Sequence, residues 1–316
     1  MAQRDLVFLT GATGFVGSHV ARELLASGYS VRALRRSTNS IPSVPPSEQL
    51  AWIEGDLRDV GAFAHALRGC RYLVHCAALY SFAPRDRRAM QAINVEGTAS
   101  LTMAAYLAGV ERGIVTSSSA TLGHAHSGYH RSKLDQERAA FASRLPVVAL
   151  LPTAPVGPGD AKPTPTGKLV RDFLRGQIVA KAPGNGGMNL VAVEDVARAH
   201  VAALERGTIG ERYVIGGENL TMDEIWALLA EITQRPMPSW RAPYALAVTA
   251  ALVDELRCRV TGAVPNVPLE GVRLSRERMF ADSSAARRDL SYEPTSVRDA
   301  LERAVAWYRD SLTGSR

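Results

Sequence analysis

The chain has 316 residues, 46% hydrophobic and 22% charged, the balance of a soluble globular enzyme, which excludes extended disorder. Its net charge of +6 includes no Lys/Arg block interleaved with aromatics, so it reads as mild steering of anionic ligands, with no nucleic-acid partner expected. Cys70, Cys76 and Cys258 form no CxxC pair, and an odd count argues against a disulfide framework and for a reducing, cytoplasmic setting.

Leu6–Leu9 is a continuous apolar run that predicts a buried strand, with no leader and cleavage site expected before it. Glycines follow at once, then an amphipathic helix over Phe15–Ser27 closed by Gly28, then a strand at Val31–Leu34. Ile41–Pro46 is proline-rich and reads as a surface loop. Further strands are predicted at Ala51–Ile53, Tyr72–Cys76, Gly113–Thr116 and Val147–Leu151, with helices over Val60–Leu67, Arg87–Ala108 and Tyr129–Ser143 between them. This alternation predicts an α/β Rossmann fold, a doubly wound parallel sheet. Residues 152–167 are dense in Pro, Gly and Thr and suit a shaped loop over a site. Late strands are expected at Asn189–Val193 and Tyr213–Ile215, flanking a helix over Glu194–Arg206. Thr221 and Glu224 form a T-x-x-E capping box that opens another helix. Ala242–Val253, the longest apolar run, has the length of a buried core helix and falls short of a membrane span. An amphipathic helix over Ser296–Tyr308 follows near the end. The expected division is a dinucleotide-binding domain at 1–156, rejoined by 189–216, and a smaller, mostly helical substrate-binding region from 157–188 and 217–316.

Thr10-Gly11-Ala12-Thr13-Gly14-Phe15-Val16-Gly17 lies between a strand and a helix, where a dinucleotide site needs it. Gly11 suits the tight turn, Gly14 the approach of a pyrophosphate, and Gly17 close helix–strand packing; Thr13, Phe15 and Val16 complete the cradle at the helix N-terminus. After the second strand come Arg35 and Arg36 with no acid. Two guanidiniums beside a ribose hydroxyl have nothing to pair with, whereas a 2′-phosphate satisfies them, so NADP(H) is favoured and NAD(H) remains the alternative. Asp56-Leu57 is placed to meet the adenine ring, although Asp56 equally suits a cap before Arg58.

Tyr129 and Lys133 are four apart on a predicted helix and share one face. A phenol with an ordinary pKa near ~10 is a poor acid or base at neutral pH; a neighbouring ammonium is expected to lower it and suit proton exchange with a carbonyl or alcohol. A hydroxyl from Thr116-Ser117-Ser118-Ser119 could hold the substrate oxygen.

These pieces, together with GDLRD at 55–59, HCAA at 75–78, NVEGT at 94–98, VEDVA at 193–197 and DLSYEP at 289–294, resemble the extended short-chain dehydrogenase/reductases, the NAD-dependent epimerase/dehydratase family, over nearly the whole chain. KPTPTGKLVRDFLRG and IGERYVIGGENLT are similar to the hopanoid-associated sugar epimerase branch, a neighbour of the dihydroflavonol-4-reductase-like enzymes. The resemblance implies Tyr129 as proton donor or acceptor, Lys133 as the lysine that binds the nicotinamide ribose, and Ser119 as the hydroxyl on the substrate oxygen. It implies Ala77 and Ala78 along the cofactor groove, Pro152 and Thr153 beside the nicotinamide, structural roles for Asn94 and Asp195, and a homodimer through helices 87–108 and 129–143.

Two features depart from the family pattern. Ser119 and Tyr129 are only ten positions apart, where extended relatives place a longer loop. Gly186-Gly187-Met188-Asn189-Leu190 lacks the arginine by which nucleotide-sugar epimerases clamp a diphosphate. His124, His126 and His130 have no acidic or cysteine partners at ligand spacing, so no metal is expected, and His75 is expected to pack under the cofactor. The reading that follows is an NADPH-dependent reductase acting on a small-molecule carbonyl or alcohol. The alternatives are a sugar epimerase or dehydratase with retained NAD and a non-catalytic dinucleotide-sensing protein.

Overall fold

The computed structural model describes residues 5–36, 44–81, 84–123, 128–178, 180–261 and 269–313. The chain begins with β1 (Leu6–Thr10), α1 (Phe15–Ala26), β2 (Ser30–Arg35), β3 (Leu50–Glu54) and β4 (Tyr72–His75). Then come α2 (Arg87–Met90), a π-helical segment (Gln91–Glu96), α3 (Gly97–Leu107), β5 (Arg112–Thr116), α4 (Gly128–Phe141) and β6 (Val147–Pro152). They are followed by β7 (Ala154–Val156), α5 (Pro165–Leu174), β8 (Gly187–Ala192), α6 (Val193–Arg206) and β9 (Arg212–Ile215). Seven parallel strands form the main sheet in the order β3-β2-β1-β4-β5-β6-β9. The strands are apolar almost without interruption because helices cover both faces. Val7, Phe8 and Leu9 of β1 are wholly buried, and all six residues of β6 are buried. One face packs against α1 and α6 through Val20, Leu24, Val196 and Leu204. The other packs against α3 and α4 through Leu101, Ala105 and Ala140. The strand order reverses between β1 and β4, which leaves a crevice at their carboxyl ends, the usual seat of a nucleotide in such sheets.

The chain forms two compact units, the first from Met1–Pro155, Val191–Gly216 and Asp282–Pro294, the second from Val156–Leu190, Gly217–Ala281 and Thr295–Arg316. Residues 282–294, which the sequence reading places with the substrate region, pack into the first unit as α10 (Ser284–Leu290). Ala286 and Leu290 enter its core, and the Tyr292 hydroxyl donates to Gly216 O at 3.0 Å. In the second unit, β10 (Glu218–Thr221) runs antiparallel to β8, and β11 (Arg278–Met279) runs parallel to it. The Thr221–Glu224 capping box is formed at the start of α7 (Met222–Thr233), whose Trp226 stacks on Phe173 of α5 at 5.7 Å. A final helix, α11 (Val297–Thr313), is tied to the loop before α5 by the Tyr308 hydroxyl, which donates to Asp160 O.

Three predicted helices are corrected. Val60–Leu67 is two 3-10 turns, Val60–Ala62 and Ala64–Leu67, broken at Phe63 (φ −120°, ψ 2°). That break lets the wholly buried Phe63 ring stack on Phe8 at 5.9 Å. The single helix expected over Arg87–Ala108 is interrupted by the π-helical segment, which turns Asn94 fully inward. Ala242–Val253 does form a helix, α8 (Tyr244–Thr261), but not a buried one. Leu246, Leu252, Val253 and Leu256 are 54, 51, 64 and 64% exposed. Small Ala251 and Cys258 are the buried positions; Asp254 pairs with Arg257 along the helix itself, and the Glu255 carboxylate accepts from the N–H of Leu269, the first residue of α9 (Leu269–Leu274). Among the described residues no helix is long and apolar enough to cross a membrane.

Candidate functional site

The crevice begins at the turn after β1. Gly11 has φ +81°, and a Cβ on it would lie 2.7 Å from Ala77 N, so the turn and the end of β4 touch backbone to backbone. A Cβ on Gly17 would come within 2.1 Å of Gly11 O, so α1 packs directly on the turn. Gly14 differs: its φ is −93°, and its absent Cβ would meet only Gly11 O, at 3.3 Å. A Cβ at this exposed position would ask the backbone to give by only a few tenths of an ångström, far less than at Gly11 or Gly17. No side chain caps α1 and its first turn holds no acid, so an anion has free access to the helix N-terminus beside Thr13, Phe15 and Val16.

At the end of β2 the Arg35 guanidinium lies 5.6 Å from the centre of the Trp52 ring. Its Nε is buried without a hydrogen-bond partner among the described residues. Arg36 is exposed beside it. Asp56 is engaged locally: Oδ1 accepts from Arg58 N and Nε at 2.9 and 3.0 Å, and Oδ2 from Nη2 at 2.7 Å. The Arg58 hydrogen bond, aided by the charges of Arg58 and Arg36, holds this carboxyl below its ordinary range. Leu57 is buried beside it, its carbonyl facing Gly97.

Lys133 is 3% exposed, and its Nζ donates to Thr116 O at 2.6 Å and to Gln136 Oε1 at 2.5 Å. Burial pulls the ammonium down to about 8 against the charges of Cys76 and Glu137. Tyr129 retains some surface and packs edge-on against the Tyr80 ring at 4.5 Å. The expected depression of its phenol by Lys133 is absent: burial pushes Tyr129 above its ordinary value. The ammonium is committed to Thr116 and Gln136, and desolvation is the effect that remains.

The Thr116–Ser119 run sorts itself by partner. Thr116 Oγ1 meets His200 Nε2 at 2.8 Å, Ser117 donates to buried Glu137 at 2.6 Å, and Ser118 caps the following 3-10 turn by accepting from Ala120 N at 3.2 Å. Arg212 pairs with the same Glu137 at 2.5 Å. Ser119, partly exposed, is the hydroxyl of the run with no hydrogen bond among the described residues. The turn Ser119–Leu122 and the start of α4 at Gly128 bracket the short connection, and His124 and His126 lie outside the described residues.

Ala77 and Ala78 follow β4 at the crevice, with Ala77 N donating to Thr10 Oγ1 at 3.2 Å. Asn94 is consumed by structure: it accepts from Leu79 N and donates to Leu79 O and Ser132 Oγ at 2.7, 3.0 and 3.1 Å. Pro152 ends β6, and Thr153 N donates to Ile215 O at 3.1 Å. Asp195 is buried and pairs with Arg198. Sequence reasoning passed over Thr10, Thr98, Gln136 and Tyr80. Gln136 was the most findable, three positions after Lys133 and so on the same face of α4. Among the described residues no three His, Cys, Asp or Glu converge as a metal set.

The glycine turn lies at the strand-order switch, the arginines end the next strand, and α4 carries the lysine and tyrosine, the layout of an α/β enzyme of nucleotide-cofactor type. Residues 7–216 match the family described as NAD dependent epimerase/dehydratase, and the chain belongs to that family of short-chain dehydrogenase/reductase-type oxidoreductases and epimerases. A Synechocystis sp. protein described as a dihydroflavonol 4-reductase is 38% identical across 98% of this chain and 96% of its own. Sterol demethylase protein B of Methylococcus capsulatus is 34% identical across 96 and 98%. Among solved structures, gox2253 superposes with a TM-score of 0.83 at 37% identity over 98 and 99% of the two chains. The dTDP-glucose 4,6-dehydratase DesIV of Streptomyces venezuelae, solved with NAD and TYD bound, superposes at 0.78 with 26% identity over 98% of each chain.

Proposed function

We propose that the chain is an NADPH-dependent carbonyl reductase of the dihydroflavonol-reductase-like kind, acting on a small or moderately apolar carbonyl or alcohol. The observation that carries this reading is the end of β2, where Arg35 keeps a buried Nε with no hydrogen-bond partner among the described residues and Arg36 stands exposed, with no acid directly following in the sequence. A 2′-phosphate answers both. The start of β8 argues the same way against a nucleotide sugar. A Cβ on Gly186 would lie 2.3 Å from Glu277 O, and one on Gly187 would lie 2.5 Å from the Phe280 ring, so this segment has no room for a clamping side chain.

The residues of the crevice fit a nicotinamide dinucleotide: Gly14 and the start of α1 would hold its pyrophosphate, and Lys133 its nicotinamide ribose. When bound, the cofactor supplies the hydride. Ser119 Oγ–H, with no hydrogen bond among the described residues, would donate to the substrate oxygen and orient it. Tyr129 Oη–H gives that oxygen its proton, and the phenol's raised pKa keeps the proton in place until it is needed. The Lys133 ammonium has three N–H donors. Thr116 and Gln136 take two, the third would serve the ribose, and the positive charge would stabilise the phenolate left after transfer.

Fluorescence titration of purified protein with NADPH and NADH, after release of any copurified nucleotide, tests the assignment. NADPH is expected to bind more tightly, and replacing Arg35 and Arg36 with alanine is expected to weaken it roughly 10- to 100-fold while leaving NADH nearly unchanged. Tightly held NAD would instead favour the epimerase or dehydratase reading, the chemistry of the NAD-bound dehydratase DesIV. Tyr129→Phe is expected to cut turnover about 10²–10⁴-fold with cofactor binding retained. Full activity in that variant would refute the tyrosine assignment.

A further inference from the structure

We infer that Gln136 is a positioning residue, which fixes the Lys133 ammonium and ties it through Thr98 and His75 to the Thr10–Ala77 wall of the cofactor crevice. This rests on the reading of Lys133 as the ribose-binding lysine.

The hydrogen bonds fix which end of the amide faces the lysine. An ammonium only donates, so the Gln136 carbonyl oxygen must face Lys133 Nζ, and its amide N–H group faces inward. That nitrogen reaches Thr98 Oγ1 at 3.2 Å and lies 3.1 Å from His75 Nε2. Thr98 spends its single proton on Asn94 O at 2.6 Å, so it can only accept from the other side. With that proton on Asn94 O, His75 Nε2, 2.8 Å away, is the donor to Thr98; if Thr98 instead turns its proton to the ring, Nε2 accepts and Nδ1 donates to Thr10. In the first arrangement the opposite ring nitrogen, Nδ1, accepts from Thr10 Oγ1 at 2.6 Å, while Thr10 accepts from Ala77 N. His75 and Gln136 are wholly buried, and the neutral imidazole agrees with the fall of the His75 pKa to about 3 on burial.

A core position needs none of this. An apolar side chain would fill the space on α4 without an unpaired group, and a glutamine so deep is tolerated only because both ends are satisfied. Its carbonyl dipole opposes the desolvation that drives the Lys133 proton off. The other groups around Lys133 are His75 and Cys76 at the end of β4, Tyr129 and Glu137 on its own helix, and His200 of α6 acting through Thr116.

The cofactor-free protein suffices for the test, because the chain contains four lysines and seven histidines. With ¹³C-ε-lysine labelling and Lys133→Met to assign the signal, the Lys133 titration is expected to move down by about one pH unit in Gln136→Leu and up in Gln136→Glu. ¹⁵N-histidine spectra are expected to show His75 as the Nε2–H tautomer. In turnover with NADPH, the alkaline limb of kcat should follow the same shifts, whereas loss of packing alone would lower activity evenly across pH. An unmoved Lys133 titration in folded Gln136→Leu overturns the inference. Should Gln136→Leu fail to fold, the Gln136→Glu titration decides, and an unmoved signal there overturns it equally. Failure of the underlying reading shows separately, as undiminished turnover in Tyr129→Phe or undiminished cofactor binding in Lys133→Met.

Discussion

His75 and His200 are both wholly buried and uncharged, one bonded to Thr10 and Thr98, the other between Thr116 and Val196 O. Burial lowers their pKa values to about 3 and about 4. In the unfolded chain each takes a proton near pH 6.5, so the unfolded state binds more protons below that pH and stability falls with acidification. The stability is complete above about pH 6.5 and drains away between there and about pH 4; at pH 5 each histidine is expected to cost on the order of 2 kcal/mol. Thermal unfolding followed from pH 7.5 to 5 checks this, and His200→Gln should flatten the slope by about half. A pH-independent melting temperature would show that neither histidine is held neutral by the fold. At this scale the sequence pointed to Ser119 only through the family resemblance; in the structure its three predecessors have partners, and Ser119 has no hydrogen bond among the described residues. The cap weighed for Asp56 is visible in its bond from Arg58 N, whereas the pKa direction of Tyr129 was not legible, because spacing along a helix says nothing of depth or of where a lysine's protons go.

Among the elements, the turn from β1 into α1 is the least tolerant. A methyl on Gly17 would sit 2.1 Å from Gly11 O, and backbone cannot rotate away as a side chain can. Gly17→Ala is expected to destabilise the fold by about 1–3 kcal/mol, read as a lower denaturant midpoint, and to weaken dinucleotide binding with it. Gly14→Ala, which meets only Gly11 O at 3.3 Å, should leave the midpoint nearly intact and weaken dinucleotide binding selectively. Equal loss of stability in the two variants would defeat this division of roles. Strand positions were legible because each buried strand is a short apolar run bounded by turns. The helices were less so: apolar spacing is the same whether a segment continues as α-helix, breaks at Phe63 to seat a ring, or widens around Asn94. In α8 the apolar run misled: the buried positions are small Ala251 and Cys258, and four large aliphatic side chains turn outward.

For the whole molecule, the proposed pairing of two copies through α3 and α4 has a visible basis in Met103, Tyr106 and Leu107, which are 42, 39 and 76% exposed on α3. Light scattering should give a dimer, and Leu107→Glu should shift it towards monomer while the far-ultraviolet spectrum stays unchanged; a wild-type monomer would remove the proposal. The parallel sheet was readable from the alternation of strands and helices, but the return of residues 282–294 to it was not, since a short helix carries no label of its destination. That return has a consequence for synthesis. The strand β9 that covers the outer edge of β6 is made only after α5, β8 and α6, and α10 arrives later still. While the ribosome works through that stretch, the emerging sheet carries an open, fully apolar β6 flank, the kind of edge that recruits a second strand from any neighbour. A nascent chain arrested before residue 212 should therefore be the most aggregation-prone length, and one released after residue 215 the first able to pair β6 with its own β9.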